Sequence, residues 1–140
     1  MNIENAVELL REHHEEPPKP MRLPTEEEVQ QAEVDLDFVF PDQFRQFHLL
    51  ACNLVVGTLE PGVVFPDVLP YINLRRIAQD GWSLGVPREQ LPFCEDNGNY
   101  FCITADGMVN YWDHDGSSEY GSAPSFADWI VTVWIKEYTF

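Results

Sequence analysis

Apolar residues Ile3, Ala6, Val7 and Leu10 repeat at the spacing of one helical face, and Asn2 stands before them as a capping side chain, so a first helix is predicted. It cannot run past Pro17-Pro18, because proline fixes φ and lacks an amide donor. Glu16 to Pro20 therefore reads as an extended connector. Thr25 opens a second helix. Thr25 and Glu28 have the spacing of a capping box, in which each side chain satisfies the other residue's free amide, and Glu26 and Glu27 suit the positive helix end. This helix is predicted to fade near Val34 or Asp35. A third starts at Phe40-Pro41-Asp42, with Pro41 in its first turn, and repeats Phe44, Phe47 and His48 at helical spacing beside Leu50 and Ala51.

The pattern then changes period. Leu54-Val55-Val56, Thr58-Leu59 and Val63-Val64-Phe65 are short β-prone runs cut by Gly57, Pro61-Gly62 and Pro66, which predict strands and turns. Tyr71 to Gln79 predicts a short helix ending near Gly81. The clearest β signal follows: Leu91 to Cys94, Tyr100 to Thr104 and Met108 to Trp112 are separated by Asn97-Gly98 and Asp106-Gly107, two dipeptides that tolerate the positive φ of tight hairpins. An antiparallel meander is expected. Ser125 and Asp128 form a second capping pair, and Phe126, Trp129, Ile130 and Val133 share the face of a last helix. Helices, then strands, then a helix predict an α+β domain, an antiparallel sheet (meander) flanked by helices.

The chain has 140 residues, a size suited to one domain, and 44% of them are apolar, enough for a single core. Its charge changes the picture more. Eight Lys and Arg against 24 Asp and Glu give −16. The acids gather at the ends: residues 1–42 hold 12 acids and 3 bases, residues 43–93 hold 4 of each, and residues 94–140 hold 8 acids and 1 base. Such a surface repels nucleic-acid phosphates and anionic lipid, so no nucleic acid and no membrane is expected among its partners. It attracts a basic protein instead and speeds its capture. Solubility alone is the simpler account of the same charge. No apolar run reaches the roughly 18–20 residues of a membrane span, and the acids of MNIENAVELLREHHEE stand where a signal peptide carries bases, so a soluble, cytoplasmic protein is expected.

Catalytic signatures are weak. Cys52, Cys94 and Cys102 are an odd number without C-x-x-C spacing and lie in or beside apolar runs, which predicts reduced, buried thiols. There is no nucleophile elbow, H-E-x-x-H helix, P-loop or dinucleotide fingerprint. Asp113-x-Asp115-Gly116-x-x-Glu119 supplies hard oxygen ligands but misses the calcium-loop spacing, so no metal and no cofactor is expected. His13 and His14 diverge around a helix and are expected to be exposed, whereas His48 is expected inside. Trp82, Trp112, Trp129 and Trp134 are core candidates.

Taken in order, Leu23-Pro24-Thr25, the helix start Phe40-Pro41-Asp42-Gln43-Phe44, the hairpin from Leu91 to Phe101, the strand Gly107 to Asp115 and Ser125-Phe126-x-x-Trp129 resemble the SUKH superfamily, the Smi/Knr group. The resemblance covers roughly residues 23–140 and leaves residues 1–22, the first helix and proline connector, as an addition. It implies an α+β fold without catalytic activity, hence no catalytic residue. Bacterial domains of this kind are typically immunity proteins against polymorphic toxins, many of them nucleases, and fungal relatives regulate cell-wall synthesis and signalling. The chain departs from the pattern after its third helix, where Ala51-Cys52-Asn53-Leu54 replaces the usual Asn-Gly, and at Asp96-Asn97-Gly98-Asn99, which has one glycine fewer.

The candidate partner-binding residues are Glu95, Asp96, Asn97, Asn99, Tyr100, Trp112, Asp113, Asp115, Glu119 and Tyr120. If the hairpin end and the stretch after Trp112 meet on one edge, they form an acidic rim bordered by Tyr100, Tyr111, Trp112 and Tyr120. Aromatics supply desolvated contact area and carboxylates pair with guanidinium forks, which suits the cleft of a basic toxin. Turn formation alone also accounts for these residue types. The expected function is stoichiometric neutralisation of a basic toxin. The alternatives are a regulatory or scaffolding domain for an endogenous protein, and a metal- or thiol-dependent hydrolase using Asp113, His114, Asp115 or a cysteine.

Overall fold

Asn2 accepts the Asn5 amide at 2.8 Å and starts α1 (Ile3–Arg11), whose face Ile3, Ala6, Val7 and Leu10 is fully buried. The computed structural model describes residues 1–116 and 122–139. In α2 (Glu26–Leu36) both halves of the Thr25–Glu28 capping box form. The helix outlasts the expected Val34 or Asp35 and ends at Asp37, which adopts the left-handed conformation (φ 49°). Pro41 is the cap of α3 (Asp42–Ala51) rather than part of its first turn.

The predicted strands between Leu54 and Phe65 do not form. Val56, Leu59, Val63, Val64 and Phe65 are buried as expected of an apolar run, but their neighbours' backbone groups bond to scattered elements instead of one ladder. Thr58 N–H donates to Tyr138 C=O, Gly62 N–H to Phe93 C=O and Val63 N–H to Ile72 C=O, leaving one parallel bridge, Val63 to Asn73. Gly57 has φ +59°, and a Cβ there would run into the Tyr138 carbonyl. Gly57→Ala should therefore cost about 1–2 kcal/mol from the backbone alone, with the clash added, read as a lower urea midpoint.

A 3₁₀ turn (Pro70–Ile72) takes the residues expected to open the next helix. The helix α4 (Leu74–Leu84) starts where Asn73 accepts the Arg76 amide and ends at Gly85, φ +123°. Gly81 lies inside it rather than at its end. Its missing Cβ lets the helix press on β1: a methyl there would sit 2.7 Å from the Pro92 ring.

The meander forms as β1 (Leu91–Asp96), β2 (Asn99–Ile103) and β3 (Val109–Trp112), with a fourth, two-residue strand β4 (Ser122–Ala123) that the pattern did not announce. All neighbours are antiparallel, and a bulge lies between Pro92 and Cys94. Strand alternation sends Phe101 and Tyr111 to one face and Tyr100, Cys102 and Trp112 to the other. The first face packs on the last helix. There Trp129 meets Phe93 at 5.0 Å and Phe101 at 5.2 Å, and Phe44 of α3 meets Phe126 at 5.2 Å. The second face lies beneath α4 with Ile77, Val86 and Trp82.

The last helix begins as α5 (Phe126–Trp129), widens into a π-helical stretch (Ile130–Ile135) and closes with α6 (Lys136–Tyr138). Trp129, Ile130, Val133 and Trp134 all face inward, and Trp134 Nε1 donates to Val56 C=O at 3.0 Å. The apolar face of α1 belongs to the same core as the sheet and α3. Among the described residues no helix is long and apolar enough to cross a membrane.

Candidate functional site

Asn97 and Gly98, both at positive φ (52° and 88°), turn β1 into β2 so that Asp96 faces Asn99 and Glu95 faces Tyr100. The end of β3 lies beside this turn. His114 donates to Asn99 Oδ1 from its backbone N–H at 3.1 Å and also from Nδ1, and Asp115 N–H donates to Asp113 Oδ1 at 2.7 Å. The two polar stretches singled out in the sequence therefore meet at one end of the sheet. Glu119 and Tyr120 lie outside the described residues.

Their roles divide. Glu95, Asn97 and Asp115 are exposed, and Asp113 and Trp112 are half-buried. Tyr100 is not a rim aromatic: it is 4% exposed beneath α4, with Trp112 beside it at 6.2 Å, because alternation in β2 turns it toward Ile77 and Val86. Tyr111 is buried on the opposite face. Asp96 is committed inward, where Oδ2 accepts the hydroxyls of Tyr111 at 3.1 Å and Tyr138 at 2.8 Å. Asn99 closes the network by donating to the Tyr111 oxygen at 2.9 Å. Burial pushes the Tyr111 hydroxyl up to about 12, so it stays a neutral donor to the carboxylate. Asp96 and Asn99 thus tie the hairpin to β3 and the C-terminal helix, holding the open acids in place.

Asp96→Asn should remove a charge-assisted acceptor for two tyrosines and destabilise the fold by about 2 kcal/mol. Hydrogen exchange should quicken first at the β1–β2 turn; unchanged protection there would contradict the tie.

The cysteines are inert. Burial pushes Cys52 and Cys102 up to about 12 and Cys94 well above the ordinary thiol range, so the described fold offers no thiolate at neutral pH. Asp113, His114 and Asp115 bring three donor atoms within 4.8 Å of one another. The bond from the Asp115 amide to Asp113 is that of an Asx turn, and His114 is held by Asn99 across the neighbouring strand. His14 is less exposed than expected: its Nδ1 accepts the Val55 amide at 2.9 Å, and its Nε2 meets Glu16 at 3.1 Å.

The family model SUKH_5, described as SMI1-KNR4 cell-wall, matches residues 3–135. The chain belongs to this SUKH family. The match begins within α1, whose packing on α3 and α5 makes it part of the same core. A solved protein from Pseudomonas syringae pv. tomato has the same fold, with a TM-score of 0.85 and 34% identity over 94% of this chain and 98% of that one. No curated protein matches. SUKH domains are known as immunity-type, generally non-catalytic binding proteins.

Sequence reasoning missed a second feature at the opposite end of the sheet. Val39, Asp42 and Asp106 border a groove between the α2–α3 loop and the β2–β3 turn. One signal was present: in Phe38-Val39-Phe40 the outer residues are buried and Val39 is 77% exposed, a period-2 alternation concealed inside an apolar triplet.

Proposed function

We propose that this SUKH chain is an immunity-type protein that neutralises a basic toxin domain by one-to-one binding, without turnover or cofactor. The observation behind this reading is how the cations are used. Five of the arginines are paired inside the fold: Arg11 with Glu8, Arg22 with Glu28, Arg45 with Glu33, Arg75 with Asp35 and Arg76 with Asp80. Arg88 donates to the Leu36 carbonyl at 2.7 Å and lies over the Trp82 ring. With 24 acids in the chain, carboxylates outnumber the cations, and the field of exposed ones such as Glu95 and Asp115 draws in a cationic partner. Aromatic and apolar contacts then set how slowly it leaves.

The test is to mix the purified chain with the toxin domain encoded beside it. A one-to-one complex, lost toxicity and an association rate that falls about tenfold or more as salt rises are expected. Association indifferent to salt would contradict the electrostatic step. Toxicity surviving a saturating excess of the chain would contradict neutralisation. Glu95→Lys together with Asp115→Lys should slow association without changing the urea midpoint, because both side chains are exposed.

A further inference from the structure

Between the α2–α3 loop and the β2–β3 turn lies a groove of about 560 Å³. Its walls carry Val39, Asp42, Ala105 and Asp106, and its floor is formed by Phe40 and Phe126. No basic residue lines it. Three independent features converge there. Val39 is 77% exposed, the most of any large apolar residue described. Among the described residues neither Asp42 nor Asp106 has a hydrogen-bonded or ion-paired side-chain partner. The first turn of α3 is also uncapped: Pro41 brings no side-chain oxygen, and the N–H groups of Asp42, Gln43 and Phe44 have no acceptor among the described residues.

Each feature asks for a different group, and one kind of occupant supplies all three. The aspartates call for a cation, Val39 calls for aliphatic surface, and the free N–H groups call for a neutral carbonyl, since an anion would be repelled by Asp42 and Asp106. A peptide chain bearing arginine or lysine next to a leucine-like residue offers the cation, the aliphatic surface and its own main-chain carbonyls. We propose that this groove is the seat of a basic-apolar loop of the protein partner. The assignment rests on the reading of the chain as a binder of a basic protein and names the surface involved. It differs from the acidic rim at the β1–β2 turn, because the two turns of the meander lie at opposite ends of β2. In this arrangement the rim contributes long-range attraction, while the groove supplies the desolvated anchor.

The test is a titration of the full ¹⁵N-labelled chain with a blocked peptide containing two Arg-Leu pairs, at physiological salt, with spermine as a cation that has no carbonyl. Saturable shifts are expected at Val39, Gln43, Asp106 and Gly107, with spermine weaker. Val39→Ser combined with Asp106→Asn, both at exposed positions, should weaken the peptide about tenfold or more, whereas Asp115→Asn should leave it unchanged. Shifts confined to Asn97 and residues 113–115 would overturn the groove while leaving the basic-partner reading intact. Equal shifts from spermine, or a double variant that binds as tightly as the natural chain, would overturn it likewise. Failure of the peptide to bind anywhere would overturn the groove; the basic-partner reading is tested separately by mixing with the toxin domain.

Discussion

Between pH 6.5 and 4.5 the natural chain should lose about 2 kcal/mol of stability that His48→Leu retains. His48 is fully buried against Phe40, Phe44 and Phe47, with ring centroids 5.7, 4.6 and 5.6 Å away, and neither ring nitrogen has a hydrogen-bond partner among the described residues. That apolar cage holds the imidazole neutral and depresses it from 6.5 to about 3. In the unfolded chain it takes up a proton near pH 6.5; in the fold it does not until about pH 3. The unfolded state therefore binds one more proton throughout that window, and stability falls by about 1.4 kcal/mol per pH unit as acid is added, roughly 5 kcal/mol in all.

The upper part of the window isolates this group. Glu28, held down to about 2 by the Arg22 guanidinium and the Thr25 amide, and Asp35, held down by Gln31 and Arg75, lose their contributions only as pH falls below about 4.5. Leucine also removes two nitrogens without partners, so the variant should be no less stable at pH 7. Urea midpoints measured at half-unit steps of pH decide the matter. Parallel curves for the two proteins between pH 6.5 and 4.5 would show that the fold takes up the His48 proton as readily as the unfolded chain, and would overturn the buried neutral imidazole.

Glu33→Ala should cost about 3 kcal/mol and loosen the loop from Asp37 to Phe40. Glu33 is 9% exposed; one carboxylate oxygen accepts the Phe40 amide at 2.8 Å, and the other pairs with Arg45 of α3. The side chain thus crosses from the end of α2 to the first turns of α3 and shapes the segment that presents Val39. Truncation leaves a buried amide and a half-buried guanidinium without their acceptor, a larger loss than the pair itself is worth. Glu33→Gln should fall between, since its amide oxygen still accepts the Phe40 N–H while the charge is gone. Loss of order at Val39 in the alanine variant, seen as faster amide exchange, is the accompanying readout. A destabilisation under 1 kcal/mol would mean that the bridge is replaced by solvent.

Much of the site's framework was legible because it is local chemistry. Asn97-Gly98 fixes a hairpin through positive φ, and the meander brings Asn99 and His114 together. The orientation of each acid was not legible. Asp96 and Glu95 are adjacent and look alike in the sequence, yet Asp96 points inward to two tyrosines, one of them 42 residues away. Tyr100 reads as a surface aromatic beside a polar turn until α4 is laid over it.

Local rules alone determined the caps at Asn2, Thr25 and Ser125, the inward face of α1, the three main strands and the acidic surplus, since each depends on neighbours within a few positions. Tertiary structure decided the rest. The apolar run from Leu54 to Phe65 became irregular buried chain because its amides found acceptors in four distant segments, and α4 continued through Gly81 because Pro92 needed the space of a missing Cβ. Burial of His48 without partners and the opening of a groove at Val39 likewise depend on which surfaces meet, and chain periodicity carries no record of that meeting.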